Sequence, residues 1–124
     1  MKKEKILIIF AKLLLVGIFL SSGLNKIFNF AGTQKYMESA GMPMTAFFLV
    51  GAIILLLTGS VFILFNYRPK IGAYLLITFL VPATLIFHTN FADQMQMIMF
   101  MKNVSILGGL LLYSVFADKL KVQK

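Results

Sequence analysis

The chain has 124 residues, 60% of them hydrophobic, with a formal net charge of +8 and no cysteine. Soluble domains hold about 45–50% apolar residues, and a chain of this length cannot bury the excess, so lipid is the solvent its composition calls for. The absence of cysteine excludes disulfides, thiolate metal sites and CxxC redox chemistry carried by this chain.

The first apolar run covers residues 6–24, long enough to cross roughly 30 Å of hydrocarbon as a helix. The preceding MKKEK resembles the basic start of a signal peptide, but Lys12 interrupts the apolar core and no small-x-small cleavage site follows, so a retained helix is expected. At about 100° per residue, Lys12, Phe19, Gly23 and Lys26 share one face, which should point into the protein. Lys12 lies about 9 Å from the start of the run, so its stem can also snorkel back to the headgroups. Inward-facing and snorkelling are both open for it.

Residues 25–43 form a first loop that carries structure of its own. Thr33 is a plausible N-cap, Gly41 a C-terminal stop and Pro43 stands behind it. With Phe28, Phe30, Tyr36 and Met37 nearby, the pattern predicts a short interfacial helix, against the blander alternative of a surface loop with one helical turn. Residues 44–65 are uncharged throughout and make the clearest span; Gly51, Leu55 and Gly59 recur every four residues as a packing strip. NYRPK then turns the chain. A third span covers residues 71–87 and contains Pro82, and a fourth covers residues 97–116, with Ser105, Gly108 and Gly109 as its small-residue strip.

The predicted fold is therefore an all-α membrane protein: a single domain, residues 1–124, with four transmembrane helices in a bundle. Eight of the twelve basic residues (Lys2, Lys3, Lys5, Arg68, Lys70, Lys119, Lys121 and Lys124) flank the spans in three short segments. Four spans put all three segments on one side, which the positive-inside rule makes the cytoplasm, with both termini there. Charge placed this way orients a membrane protein and excludes a basic face for nucleic acid.

On the outer side, Asn25, Lys26, His88, Asn90, Lys102 and Asn103 then fall at one depth on three different helices. Ionisable groups beside hydrocarbon are functional candidates, so these six are the candidate binding cluster, with Lys12 a separate buried charge. The plainer reading makes them interfacial anchors, with lysines snorkelling and asparagines capping helix ends. Met95, Met97, Met99 and Met101 bear thioethers that suit Cu(I), but residues two apart on a helix project about 200° from each other and cannot meet one ion. No metal site is expected. No catalytic motif is present: there is no HExxH, no GxSxG and no phosphate-binding glycine loop.

GLNKIFNFAGTQKYMESAGMP, a long apolar span, NYR, and then FHTNF and MIMFMKN together resemble the DoxX family of bacterial inner-membrane proteins, and within it the YqjF-like members. The resemblance extends over roughly residues 12–112. It implies a four-helix protein of the bacterial inner (cytoplasmic) membrane. Some relatives are subunits of a thiosulfate:quinone oxidoreductase, and others are linked to membrane complexes that handle oxidative stress. The resemblance thus implies a subunit or accessory of a quinone-linked respiratory or redox-stress complex; the rival is a transport or structural membrane component without a redox role. If an enzyme is involved, this chain is a subunit of it. The chain carries no cofactor of its own; a quinone or another amphipathic small molecule is the ligand to expect near the outer cluster, with Lys26, His88 and Lys102 supplying hydrogen bonds or charge, and the lipid bilayer and either a membrane complex or further copies of the chain are the partners. Relatives often carry arginine where Lys12 stands and glutamate near Ile54.

Overall fold

The computed structural model describes residues 2–121 as five helices: α1 (Lys2–Phe28), α2 (Phe30–Ser39), α3 (Thr45–Leu64), α4 (Pro69–Phe87) and α5 (Gln94–Lys121). No strand occurs among the described residues. Lys124 and the side chains of Lys2 and Lys121 lie outside them. Four helices are long and apolar enough to cross a membrane, over Lys3–Phe28, Thr45–Leu64, Pro69–Phe87 and Gln94–Ala117. All four expected spans are present. α1 and α5 overrun them because an apolar run measures the hydrocarbon, whereas lysine, glutamate and glutamine, good helix formers, carry the backbone on into the headgroup layer.

α3 sits between α1 and α4, α5 packs on α4, and α1 meets α5 only sparsely. Val16 and Phe19 from α1, Leu56 and Ile63 from α3, Leu76 and Leu80 from α4, and Leu110 and Ala117 from α5 make one buried core. Phe10, Leu14, Phe47 and Val115 are exposed on the outside of the bundle, a surface that only an apolar solvent covers. The inward face expected of α1 is observed: Lys12 and Phe19 are 5% and 3% exposed, Gly23 is buried, and Lys26 is half-buried.

The closest crossing is between α3 and α4. A Cβ on Gly59 would stand 2.9 Å from the Gly72 carbonyl oxygen, and one on Gly72 would stand 2.9 Å from that of Gly59. Of the predicted strip on this helix only Gly59 serves the approach, since a Cβ on Gly51 would meet nothing within 4 Å. The strip assigned to the last span is overturned. Ser105 and Gly108 are exposed, a Cβ on Gly108 would meet nothing within 4 Å, and one on Gly109 would meet only Leu15, at 3.9 Å. α5 turns Leu110, Tyr113 and Ala117 to the core instead. Spacing identifies a stripe of small residues, but larger side chains that fill the groove better decide which stripe faces in.

Four residues of the turns lie in the left-handed region, Gly41, Met44, Asn66 and Arg68, and two of them end helices. Gly41 (φ 84°) ends α2, with its N–H on the Glu38 carbonyl at 2.9 Å and the Met42 N–H on that of Met37 at 3.2 Å, the paired bonds of a Schellman stop. Asn66 (φ 56°) does the same for α3, with the Tyr67 N–H on the Phe62 carbonyl at 3.0 Å. The predicted N-cap, Thr33, is inside α2 rather than at its start. Helical bonds from Asn29 N–H to Asn25 and from Thr33 N–H to Asn29 carry the chain almost unbroken from α1 into α2, whose N-cap is Asn29. Thr33 donates its hydroxyl back to the Asn29 carbonyl at 2.8 Å.

Two ends of the bundle result. The start of α1, the α3–α4 turn and the end of α5 lie together and carry Lys3, Lys5, Arg68, Lys70 and Lys119, while α2 and the α4–α5 loop lie at the other end.

Candidate functional site

α2 is held across its end of the bundle by polar and aromatic contacts. The Gln34 amide donates to the Thr45 hydroxyl at 3.3 Å, and that hydroxyl donates to the Glu38 carboxylate at 3.5 Å, so the start of α3 is tied to α2 on both sides. Tyr36 stacks on Phe87 at the end of α4, with ring centroids 5.1 Å apart and planes 21° from parallel. The chain then leaves α4 through His88, whose N–H still reaches the Thr84 carbonyl at 3.0 Å. Asp93 starts α5: its carboxylate accepts the Met95 N–H at 3.0 Å, satisfying one of the donors a helix start leaves over. Phe91 packs edge-on against Phe100, and the Gln96 side-chain carbonyl accepts the Asn90 N–H at 3.1 Å, which folds the loop back on α5.

Between α2 and this loop lies a cleft of about 310 Å³. Tyr36, Ile86 and Phe87 give it apolar and aromatic walls; Ser39, Asn90 and Gln96 give it polar ones. Its volume falls at the small end of ligand-sized pockets.

The six candidate residues spread around this end. Asn90 lines the cleft. Asn25 is exposed at the end of α1. Lys26 donates to the Ser22 hydroxyl at 2.9 Å, and its ammonium lies 5.5 Å from the centre of the Phe79 ring on α4. Lys102 is exposed on α5. Asn103 donates its amide to the Thr84 hydroxyl at 3.0 Å, and that hydroxyl donates in turn to the Leu80 carbonyl at 2.7 Å, making a partly buried polar tie between α4 and α5. His88 is half-buried, and its Nδ1 has no partner among the described residues. No hydrogen bond joins one of the six side chains to another.

Lys12 belongs to the opposite end. Its ammonium donates to the side-chain carbonyl of Asn66 in the α3–α4 turn. The inward-facing expectation is the one observed: Lys12 is buried as a whole, and its ammonium is held by Asn66 inside the chain. Ile54 is 58% exposed, so an acid at that place in a relative would face away from this chain's own core.

Tyr36, Phe87, Gln96 and Asn66 were not anticipated. Gln96 and Asn66 are polar residues beside apolar runs, which is the signal that singled out the other six. The stacking of Tyr36 on Phe87 joins residues 51 apart in sequence and leaves no local pattern. Among the described residues no three His, Asp or Glu side chains gather where they could hold a metal ion. Met97 and Met101 share one side of α5, with Met95 and Met99 on the other.

The DoxX family matches residues 7–89. Inner membrane protein YqjF of Escherichia coli is 38% identical over 114 residues, covering 92% of this chain and 86% of the relative. Inner membrane protein YphA of the same organism is 31% identical over 115 residues, covering 89% and 82%. No solved structure matches the chain.

Proposed function

The chain is an inner-membrane protein of the DoxX family, and from that premise we propose that it serves as an accessory subunit of a quinone-linked respiratory or redox-stress complex, with the basic end in the cytoplasm and the α2 end outside. The observation that carries the reading is the cleft between α2 and the α4–α5 loop. Its residues fit a quinone headgroup. The Tyr36–Phe87 stack offers flat aromatic surface to a ring, Asn90 and Gln96 offer amide N–H groups to its carbonyl oxygens, and the volume takes the ring but not the tail. The tail would run along the exposed apolar faces of the spans. A bound quinone supplies the redox change; the chain itself binds the ring and holds it at the outer surface of the membrane.

The orientation follows from charge. Arg68 and Lys70 in the α3–α4 turn lie at one end with Lys3, Lys5 and Lys119, and segments that carry such a positive excess favour the cytoplasmic side. α2 then lies in the outer interface, its Phe30 and Tyr36 toward the acyl boundary.

The test is to purify the tagged protein in a mild detergent and measure extracted quinone per chain alongside co-purifying polypeptides. Quinone retained at near one per chain, lowered at least severalfold in Tyr36→Ala and in Asn90→Ala with unchanged thermal midpoints, together with an oxidoreductase polypeptide, is the expected result. Protein that purifies alone and free of quinone would reject the reading and leave a transport or structural role.

A further inference from the structure

The sparse seam between α1 and α5 is not closed by side chains. It holds a cleft of about 360 Å³, larger than the one under α2 and at the opposite end of the bundle. Ile8, Ala11 and Leu15 of α1 form one wall; Gly109, Leu112 and Phe116 of α5 form the other. The space exists because Gly109 has no side chain and its nearest neighbour across the seam, Leu15, is 3.9 Å from where a Cβ would be. Tyr113, also in the wall, is only 9% exposed, and its buried hydroxyl has no partner among the described residues. A buried hydroxyl normally has a partner, and here none of the described residues supplies one.

The mouth of the cleft is basic. Lys119 is exposed, with its ammonium 5.8 Å from the centre of the ring of Phe116, a wall residue. Lys5, also exposed, precedes the wall residue Ile8 by three positions and so shares its face of α1. Lys12 lines the cleft itself. In the sequence, Glu4 and Asp118 are the acidic residues of 2–12 and 117–124, against Lys2, Lys3, Lys5, Lys12, Lys119, Lys121 and Lys124. An apolar slot with lysines at its mouth has the complementarity of one ligand class, an acyl chain that ends in an anionic headgroup.

We propose that the α1–α5 cleft is a binding site for an anionic phospholipid. One acyl chain fills the slot over Gly109, and the phosphate lies between Lys5 and Lys119. A glycerol-ester oxygen accepts the Tyr113 hydroxyl, which lies about one turn inside the end of the span at Ala117. Basic recesses between membrane helices on the side that carries the positive loops hold such headgroups by the same attraction. The site is separate from the cleft under α2, so its failure would leave the quinone reading standing.

The experiment is native mass spectrometry of the full chain in neutral detergent, titrated with dioleoylphosphatidylglycerol or with dioleoylphosphatidylethanolamine, which has the same chains and no net charge. One saturable site is expected, with the anionic lipid at least fivefold tighter. Lys5→Gln and Lys119→Gln should each weaken the anionic lipid about fivefold, since a lysine near a lipid surface contributes on that scale, and leave the zwitterionic lipid unchanged. Tyr113→Phe should weaken it about two- to tenfold, the range of one hydrogen bond. Gly109→Leu should abolish saturable binding. Should that variant not fold, Leu112→Trp, in a chain that has no other tryptophan, should be quenched by brominated-chain phosphatidylglycerol at lower lipid than Phe47→Trp on the outside of the bundle. Equal binding of the two lipids, a preference that survives both lysine changes, or a lipid-free dimer sealed through Leu112 would each overturn the proposal.

Discussion

Replacing Gly59 tests the central contact of the bundle. The first atom added at this position would land 2.9 Å from the Gly72 carbonyl oxygen and 2.8 Å from the Leu76 Cδ2. The leucine tip can swing away, but the carbonyl belongs to a helix backbone and cannot, so α4 itself has to move. Overpacking of this kind costs about 1–3 kcal/mol, and alanine's better helix propensity offsets about 0.8–1 kcal/mol of that. Gly59→Ala should therefore lose about 0–2 kcal/mol, and Gly59→Leu more. Gly109→Ala meets only Leu15, at 3.9 Å, so the propensity gain stands alone and the variant should be neutral or stabilised by up to about 1 kcal/mol. Leu56→Ala makes the comparison quantitative. In soluble cores such a change costs about 2–5 kcal/mol, but the transfer part of that is absent when the alternative solvent is lipid, which leaves only the packing part. Gly59→Leu should then rank as the most destabilised, Leu56→Ala next and Gly109→Ala least. Thermal unfolding of each variant in the same detergent gives the order. A Gly59→Leu protein as stable as the wild type, or a Gly109→Ala protein as damaged as Gly59→Leu, would refute the assignment of the α3–α4 crossing.

Asn66 combines a left-handed backbone with the acceptor for Lys12, so Asn66→Gly should lose the bond alone, about 1–3 kcal/mol. Asn66→Ala should lose about 1 kcal/mol more for its strained φ, again read by thermal unfolding. Thr84→Val removes the acceptor of the Asn103 amide and should cost about 0.5–2 kcal/mol. The double variant with Asn103→Leu should cost less than the sum of the two singles, and additive losses would dismiss the tie between α4 and α5. For orientation, the natural absence of cysteine allows single cysteines at Glu38 and at Lys70, both exposed. An impermeant thiol reagent on intact cells should label the first and spare the second, and the same outcome at both sites would discard the proposed topology.

Four spans, their approximate ends, the inward face of α1 and the Gly41 stop were legible in the sequence, because each is a local matter. A run of apolar residues measures itself against the bilayer, a face repeats at the helical period, and a glycine after a polar helix reads as a terminus. That the six candidates fall toward the α2 end of the bundle was legible for the same reason, since position along a helix follows from counting. Which of them meet was not. Depth says nothing about rotation, and the rotation of each helix is set by how its side chains fill the grooves of its neighbours. That turned Asn103 onto Thr84, left Lys102 exposed, and put Leu110 rather than Gly108 in the core. The Tyr36–Phe87 stack, the Lys12–Asn66 bond and the Gly59–Gly72 crossing each join residues far apart in the chain, and only the packing of the bundle brings them within reach. In lipid this division is sharper than in water. Apolar composition says that a helix is inside the membrane, but every face is then equally apolar, and only close packing and the few polar ties decide which side looks inward.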